Sequence, residues 1–189
     1  MFDIAVRLLL HRNMKLEKGK ILLFNQPCAL IPTPLIVDLL KSFGVKKEKE
    51  IYYAAKKEGY RWFKDMNKQF GRLNKDQVIS WGPRLITLAG MGEVVPIVVD
   101  HKKKVLVFEL KESPMDIAWG NCNRATGHIF RGLAAGAICF AYKTNMDAVE
   151  VLCKAKGDKT CQIIVKKAEK FDRKDSKIKQ QLGGKIRDV

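Results

Sequence analysis

The chain of 189 residues has only three histidines and six prolines, and none of its apolar runs is long. The longest stretches, such as Leu133–Tyr142, fall well short of the ~20 residues that a membrane-spanning helix needs, so no transmembrane segment is expected. The N-terminal run MFDIAVRLLLHRNM is interrupted by Asp3 and Arg7 and lacks a small-residue cleavage site. It does not read as a signal peptide, and the expected location is the cytoplasm. Three histidines are too few to assemble a nucleophile–base–orienter set, and there is no Gly-x-Ser-x-Gly elbow, phosphate-binding loop or dinucleotide fingerprint. The glycine-rich stretch Leu88–Gly92 precedes a strand pattern rather than opening a helix. Nothing here argues for catalysis. Five cysteines, an odd number, do not suggest a disulfide framework; in a cytoplasmic protein they read as thiols or metal ligands.

What the chain has in excess is lysine. Lys and Arg number 36 against 20 Asp and Glu, a formal net charge of +16. The excess is diffuse, with small clusters at Lys46–Lys49, Lys56–Lys57 and Lys102–Lys104, and with nine basic and four acidic residues over 166–189. No cluster is interleaved with aromatics, and neither an Arg-rich recognition helix nor a zinc-finger spacing is present. The charge reads as solvated lysine-rich faces; nucleic acid is a possible partner that no motif indicates. With 47% hydrophobic residues the length suits one domain with a proper core.

Hydrophobic periodicity orders the elements. Residues 20–31 give a short strand run broken by Pro27, and a helix follows from Thr33-Pro34 to the stop at Gly44. A longer helix is expected over about Lys49–Phe70. A third, capped by Asn74 or Asp76 and reaching Leu88, should bend or break at Gly82-Pro83. Val94–Val99 and Val105–Leu110 then form a hairpin, with Pro96 marking an edge strand. After Ser113-Pro114 comes a helix over Thr126–Tyr142, whose small residues (Gly132, Ala134, Ala135, Gly136, Ala137) permit close approach of another backbone. A second hairpin joins Ala148–Ala155 to Thr160–Val165 through a Gly157-Asp158 turn. The class is α+β: N-terminal helices packed on an antiparallel sheet made of two hairpins flanking a helix. Residues 1–165 form the domain; 166–189 lose periodicity and read as a basic tail, frayed or disordered.

One constellation carries chemistry, Glu150-x2-Cys153-x7-Cys161 closed over the Gly-Asp turn. A hairpin brings Cys153 and Cys161 nearly opposite each other, and thiolates with a carboxylate are ordinary zinc ligands. On their own, two cysteines flanking a hairpin turn are more often buried small hydrophobes than ligands. Glu150 and Cys153 are three residues apart, so a regular strand would point them to opposite faces. A metal site therefore requires a bulge near 151–152, or Glu150 lying before regular pairing begins.

The run Gly127-His128-Ile129-Phe130-Arg131-Gly132-Leu133-Ala134-Ala135-Gly136-Ala137, followed by Glu150-x2-Cys153 and Ala155-x-Gly157-Asp158-x2-Cys161, resembles the vinyl-4-reductase domain family. That family is similar to phenol-sensing regulators, nitric-oxide-binding haem domains and Golgi-transport subunits. The resemblance implies a dimeric ligand-binding domain with a buried apolar pocket, beside which many members hold zinc. Carried over, Glu150, Cys153 and Cys161 match three zinc ligands. The fourth, usually a cysteine, falls here on Gly127, leaving His128 or, with a folded-back loop, Cys122 to serve. Trp62, Phe63, Trp81, Phe108, Trp119 and Phe130 are candidate pocket residues, while Cys28 and Cys139 read as packing. The reading is a cytoplasmic sensor of a small hydrophobic, aromatic or hydrocarbon ligand, homodimeric, with structural zinc. A reductase acting on a tetrapyrrole-like substrate and a nucleic-acid-associated regulator are the alternatives.

Overall fold

The computed structural model describes residues 13–189, so residues 1–12 of the N-terminal run lie outside the described residues. The described chain opens with an antiparallel meander of β1 (Met14–Glu17), β2 (Lys20–Leu23) and β3 (Gln26–Cys28). Both turns place two successive residues at positive φ, Lys18-Gly19 and Phe24-Asn25, the twist that two-residue hairpins prefer. Three helices follow: α1 (Thr33–Phe43), α2 (Glu48–Phe70) and α3 (Lys75–Leu88). Asn74 and Gln77 close a capping box on α3, each side chain accepting from the other's backbone N–H. Pro83 does not break α3, which runs through it as one helix. Gly82 precedes the proline, and without a Cβ it escapes much of the clash that a proline imposes on its predecessor.

The second half forms the main sheet. Its strands are β4 (Glu93–Asp100), β5 (Val105–Lys111), β6 (Met146–Leu152) and β7 (Cys161–Lys167), all antiparallel in the order β4-β5-β7-β6. Pro96 does lie on the edge strand, beside a register shift. Between the two hairpins come the short α4 (Pro114–Trp119), capped by Ser113 and not foreseen as a helix, and α5 (His128–Tyr142). Alternate residues of the central strands, Leu106, Phe108 and Leu110 with Cys161, Ile163 and Val165, form the buried face of the sheet. The architecture is the expected α+β one. No helix among the described residues is long and apolar enough to cross a membrane.

The small residues of α5 do what their size allows. A Cβ on Gly136 would lie 2.0 Å from the carbonyl oxygen of Lys56, and one on Gly132 2.4 Å from that of Tyr52. On α2, a Cβ on Gly59 would lie 2.3 Å from the carbonyl oxygen of Leu133. The two helices thus touch backbone to backbone.

The segment after Val165 is not frayed. Phe171 and Leu182 are buried, and α6 (Ser176–Leu182) is capped by Asp175. Asp147 on β6 is the anchor. Fully buried, it accepts hydrogen bonds from Tyr52 at 2.9 Å, from Lys56 at 2.9 Å and from Arg173. Arg173 also donates to the carbonyls of Leu182, Gly183 and Lys185. The segment is held by charge-assisted bonds to the domain and by a few apolar residues, Phe171, Ile178 and Leu182, too sparse to stand out as a periodic pattern.

Because the α2–α5 contact leaves no room for a methyl group, Gly136→Ala should destabilise the chain by about 3 kcal/mol or more. Gly184→Ala, at an exposed position with open space around it, should change little. Urea midpoints compared at unchanged denaturant slope check both.

Candidate metal centre and ligand cavity

Strand β6 carries the irregularity that a metal site requires. Its pairing with β7 shifts register between Glu150 and Leu152. Val151 and Leu152 are consequently both outward, 41% and 36% exposed, while Glu150 and Cys153 are both inward, 4% and 1% exposed. Three residues now separate two side chains on one face, because the bulge absorbs the extra step.

The connection to β7 is longer than a simple hairpin turn. A 3-10 turn over Lys154–Lys156 precedes Gly157, whose φ of 94° suits glycine. Asp158 accepts from the Cys153 N–H at 2.8 Å, and the Lys154 N–H points to Cys161 Sγ at 3.2 Å. These bonds fold the chain back and direct a backbone donor at a sulfur.

Glu150, Cys153 and Cys161 meet, and Asp116 joins them: one ligand atom from each lies within 4.8 Å of all the others. All four side chains are buried. Cys161 Sγ lies 3.1 Å from an oxygen of Asp116, Thr126 donates to Asp116 at 2.9 Å and lies 3.4 Å from Cys153 Sγ, and the Gly127 N–H donates to Glu150 at 3.0 Å. A side chain at Gly127 would project to within 3.1 Å of the Glu150 carboxylate, so its absence leaves room for that group.

His128 does not join the cluster. Its Nδ1 faces Arg131 at 3.2 Å and its Nε2 lies 3.6 Å from Glu48, which is itself held by Arg124 at 2.6 Å. The first residue of α5 is turned towards α2, edge-on to Trp119, and away from the hairpin. Cys122 also lies outside, with its N–H bonded to the carbonyl of Ala155. Asp116, the residue that does join, was missed because Ser113-x-x-Asp116 reads as ordinary helix-start chemistry: Ser113 Oγ accepts from its N–H at 3.3 Å.

Four acidic groups packed this closely cannot all be ionised without a cation. Burial, with the Cys153 sulfur beside it, pushes Glu150 up to about 8. The two thiols share protons. Cys161 is raised by its hydrogen bond with Cys153 and by burial, and Cys153 is correspondingly held low. Two sulfurs and two carboxylates converging on one point form a donor set that suits four-coordinate zinc.

An apolar cavity of about 390 Å³ lies on the other side of α5. Leu133, Ala134 and Ile138 line it from α5, Gly82 and Pro83 from α3, and Ile21 and Leu23 from the meander. Trp62, Phe63, Phe108 and Phe130 are in its wall. Trp81 and Trp119, grouped with them from the sequence, are not. Trp81 packs on Phe70 with ring centroids 5.8 Å apart, and Trp119 lies beneath Lys41 and Arg124 near His128. Among the described lining residues Glu58 is the one charged side chain, paired with Arg61 at 3.0 Å.

Burial holds the pKa of His128 below its usual 6.5, outweighing the attraction of Glu48, while the Arg131 charge acts in the same direction as burial. The unfolded chain therefore takes up the proton first. The contribution of His128 to stability should be complete above pH 6.5 and be lost as the pH falls below it. The stability difference between the parent and His128→Asn, measured by urea unfolding, should shrink from pH 7 to pH 5.

No family model and no curated protein matches this sequence. Solved structures do. The phenol-responsive sensory domain of the transcription activator PoxR, determined with phenol, is 19% identical, with 92% of this chain and 94% of that chain covered at a TM-score of 0.75. A vinyl-4-reductase family protein from Methanocaldococcus jannaschii is 18% identical, covering 74% and 83% at a TM-score of 0.49. A trafficking protein particle complex subunit 3 from Naegleria fowleri, covalently bound to palmitic acid, is 16% identical, covering 70% and 87% at 0.49. The chain therefore has the fold of the PoxR sensory domain.

Proposed function

We propose that this protein is a small-molecule sensor domain that binds a hydrophobic, aromatic or hydrocarbon ligand in the cavity beside α5, with a structural zinc ion tying the β6–β7 connection to α4. The observation that carries the reading is the cavity itself. An apolar pocket of about 390 Å³, walled by both sheets and three helices, has the size range and lining of a ligand site and lies in a chain with the fold of a sensory domain. Burial of apolar ligand surface supplies the affinity, and the aromatic rings of Trp62, Phe63, Phe108 and Phe130 supply shape.

Asp116, Glu150, Cys153 and Cys161 would hold the zinc. Bound there, the ion supplies cross-linking and charge neutralisation. The residues do the positioning: Thr126 orients Asp116, Gly127 orients Glu150, and the Lys154 N–H is aimed at Cys161. The basic surface favours no nucleic-acid reading over this one, since its lysines are dispersed along the chain.

Metal analysis of the purified chain should return one zinc per protein. Asp116→Ala and Cys161→Ser should each weaken zinc by more than the roughly 10–100-fold that outer partners are worth. Loss of metal from neither variant would sink the centre. For the cavity, mass spectrometry should detect a co-purified apolar molecule, or added toluene and naphthalene should raise the melting temperature. Stabilisation of about 2.7 kcal/mol is expected at a hundredfold excess over the dissociation constant. Ala134→Phe, which fills the space, should abolish that rise; an equal rise in the variant would refute ligand binding there.

A further inference from the structure

Strand β6 is the outer strand of the main sheet, opposite β4. An outer strand presents unpaired N–H and C=O groups along its free side, and at a bulge the ladder on its paired side is disrupted as well. The bulge of β6 begins at Glu150. There the edge is not open. The Glu150 N–H donates to Oε1 of Gln181 at 2.9 Å, and Nε2 of Gln181 donates to the Glu150 carbonyl at 2.9 Å. One side-chain amide on α6 thus takes the place of a neighbouring strand's peptide at a single residue. That residue is the one whose carboxylate enters the cluster with Asp116, Cys153 and Cys161.

Glu150 is consequently fixed from two directions, its backbone by Gln181 and its carboxylate by the Gly127 N–H. The helix that carries Gln181 is fixed in turn. Leu182 next to it is buried, Asp175 caps its start, and Arg173 reaches Asp147, three residues before Glu150 on the same strand. Removing Gln181 would leave both edge groups of Glu150 to water and free the bulged backbone to move. A ligand that must be held in one orientation would then have to be ordered each time the ion binds.

We infer that Gln181 is a positioning residue for the metal centre and that zinc binding and the docking of α6 are coupled through its paired hydrogen bonds to Glu150. This rests on the zinc reading above. Coupling of this kind is reciprocal: whatever factor α6 contributes to zinc affinity, zinc returns to the docking of α6.

The test uses the full chain and Gln181→Met, which keeps the length and helix preference of the side chain but loses both bonds. Zinc affinity, measured by competition with a chromophoric chelator, should fall roughly 10–100-fold. In the metal-free proteins the Glu150 amide should exchange with deuterium faster in the variant, while Gln180→Met, at the exposed neighbouring position, should match the parent in both measurements. Equal zinc affinity in parent and Gln181→Met would overturn the positioning role. A second measurement does not depend on how well the variant folds. In the parent, zinc should slow exchange over residues 176–182, and unchanged exchange there would overturn the coupling. A parent that takes up no zinc defeats the metal centre itself, and the inference falls with it; a parent that binds zinc while the variant binds it equally well leaves the centre standing and removes only Gln181.

Discussion

Everything in this fold is arranged around the contact that three glycines bring down to the backbone. Helices α2 and α5 meet where Gly59, Gly132 and Gly136 leave backbone against backbone, so their separation is fixed by hard-sphere contact. That contact sets α5 as a partition. Its first turn begins at Gly127, whose N–H holds Glu150, and its apolar flank from Phe130 to Ile138 faces the cavity. The cluster of Asp116, Glu150, Cys153 and Cys161 and the cavity are therefore two neighbourhoods of one rigid rod. A shift of that rod on ligand entry would be felt at its N-terminus, because close-packed helices transmit displacement rather than absorb it.

The charge arrangement follows from the same packing. Arg131, fully buried on α5, donates to the Ala148 carbonyl, faces His128 Nδ1 and lies over the Tyr52 ring at 4.9 Å. Among the described residues no carboxylate is within its hydrogen bonds, so its charge is left to the carboxylates around it, Glu150 and Asp147 among them. Asp147 is matched locally by Lys56 and Arg173, whereas Glu150 is held among acids and keeps its proton up to about 8. One strand thus carries two buried carboxylates of opposite character. The first is a structural anchor, fully paired with Tyr52, Lys56 and Arg173. The second is a group whose ionisation a cation would favour.

Much of this was legible in the sequence because it depends on local rules. Helix boundaries at Gly44 and Asn74, the edge role of Pro96 and the small-residue face of α5 all follow from what single residues can adopt or exclude. The need for a bulge near 151–152 followed from strand parity alone, and the register shift lies there. The failures have a common cause in contacts between distant residues. Asp116 is 34 residues from Glu150 and carries an equally good local explanation as a helix-start acid. His128 was drawn to the cluster by its position in the chain, but Glu48 and Arg131 offered it partners on the other side. Residues 166–189 looked unstructured because lysines and aspartates carry no period, although Arg173 and Gln181 tie them to strand β6.

The meander β1–β3 has a consequence of its own. Among the described residues its strands pair only with one another, so none of its ladder bonds is shared with the main sheet. It supplies one wall of the cavity through Ile21, Leu23 and Cys28 and is held against α2 by packing around Phe24 and by the bond from Gln26 to Asp65 at 2.7 Å. Swinging that wall outward costs side-chain contacts but leaves every hydrogen bond of the four-stranded sheet intact. Opening of this wall and unfolding of the four-stranded sheet therefore break different hydrogen bonds, while the packing around Phe24 belongs to both the wall and the core.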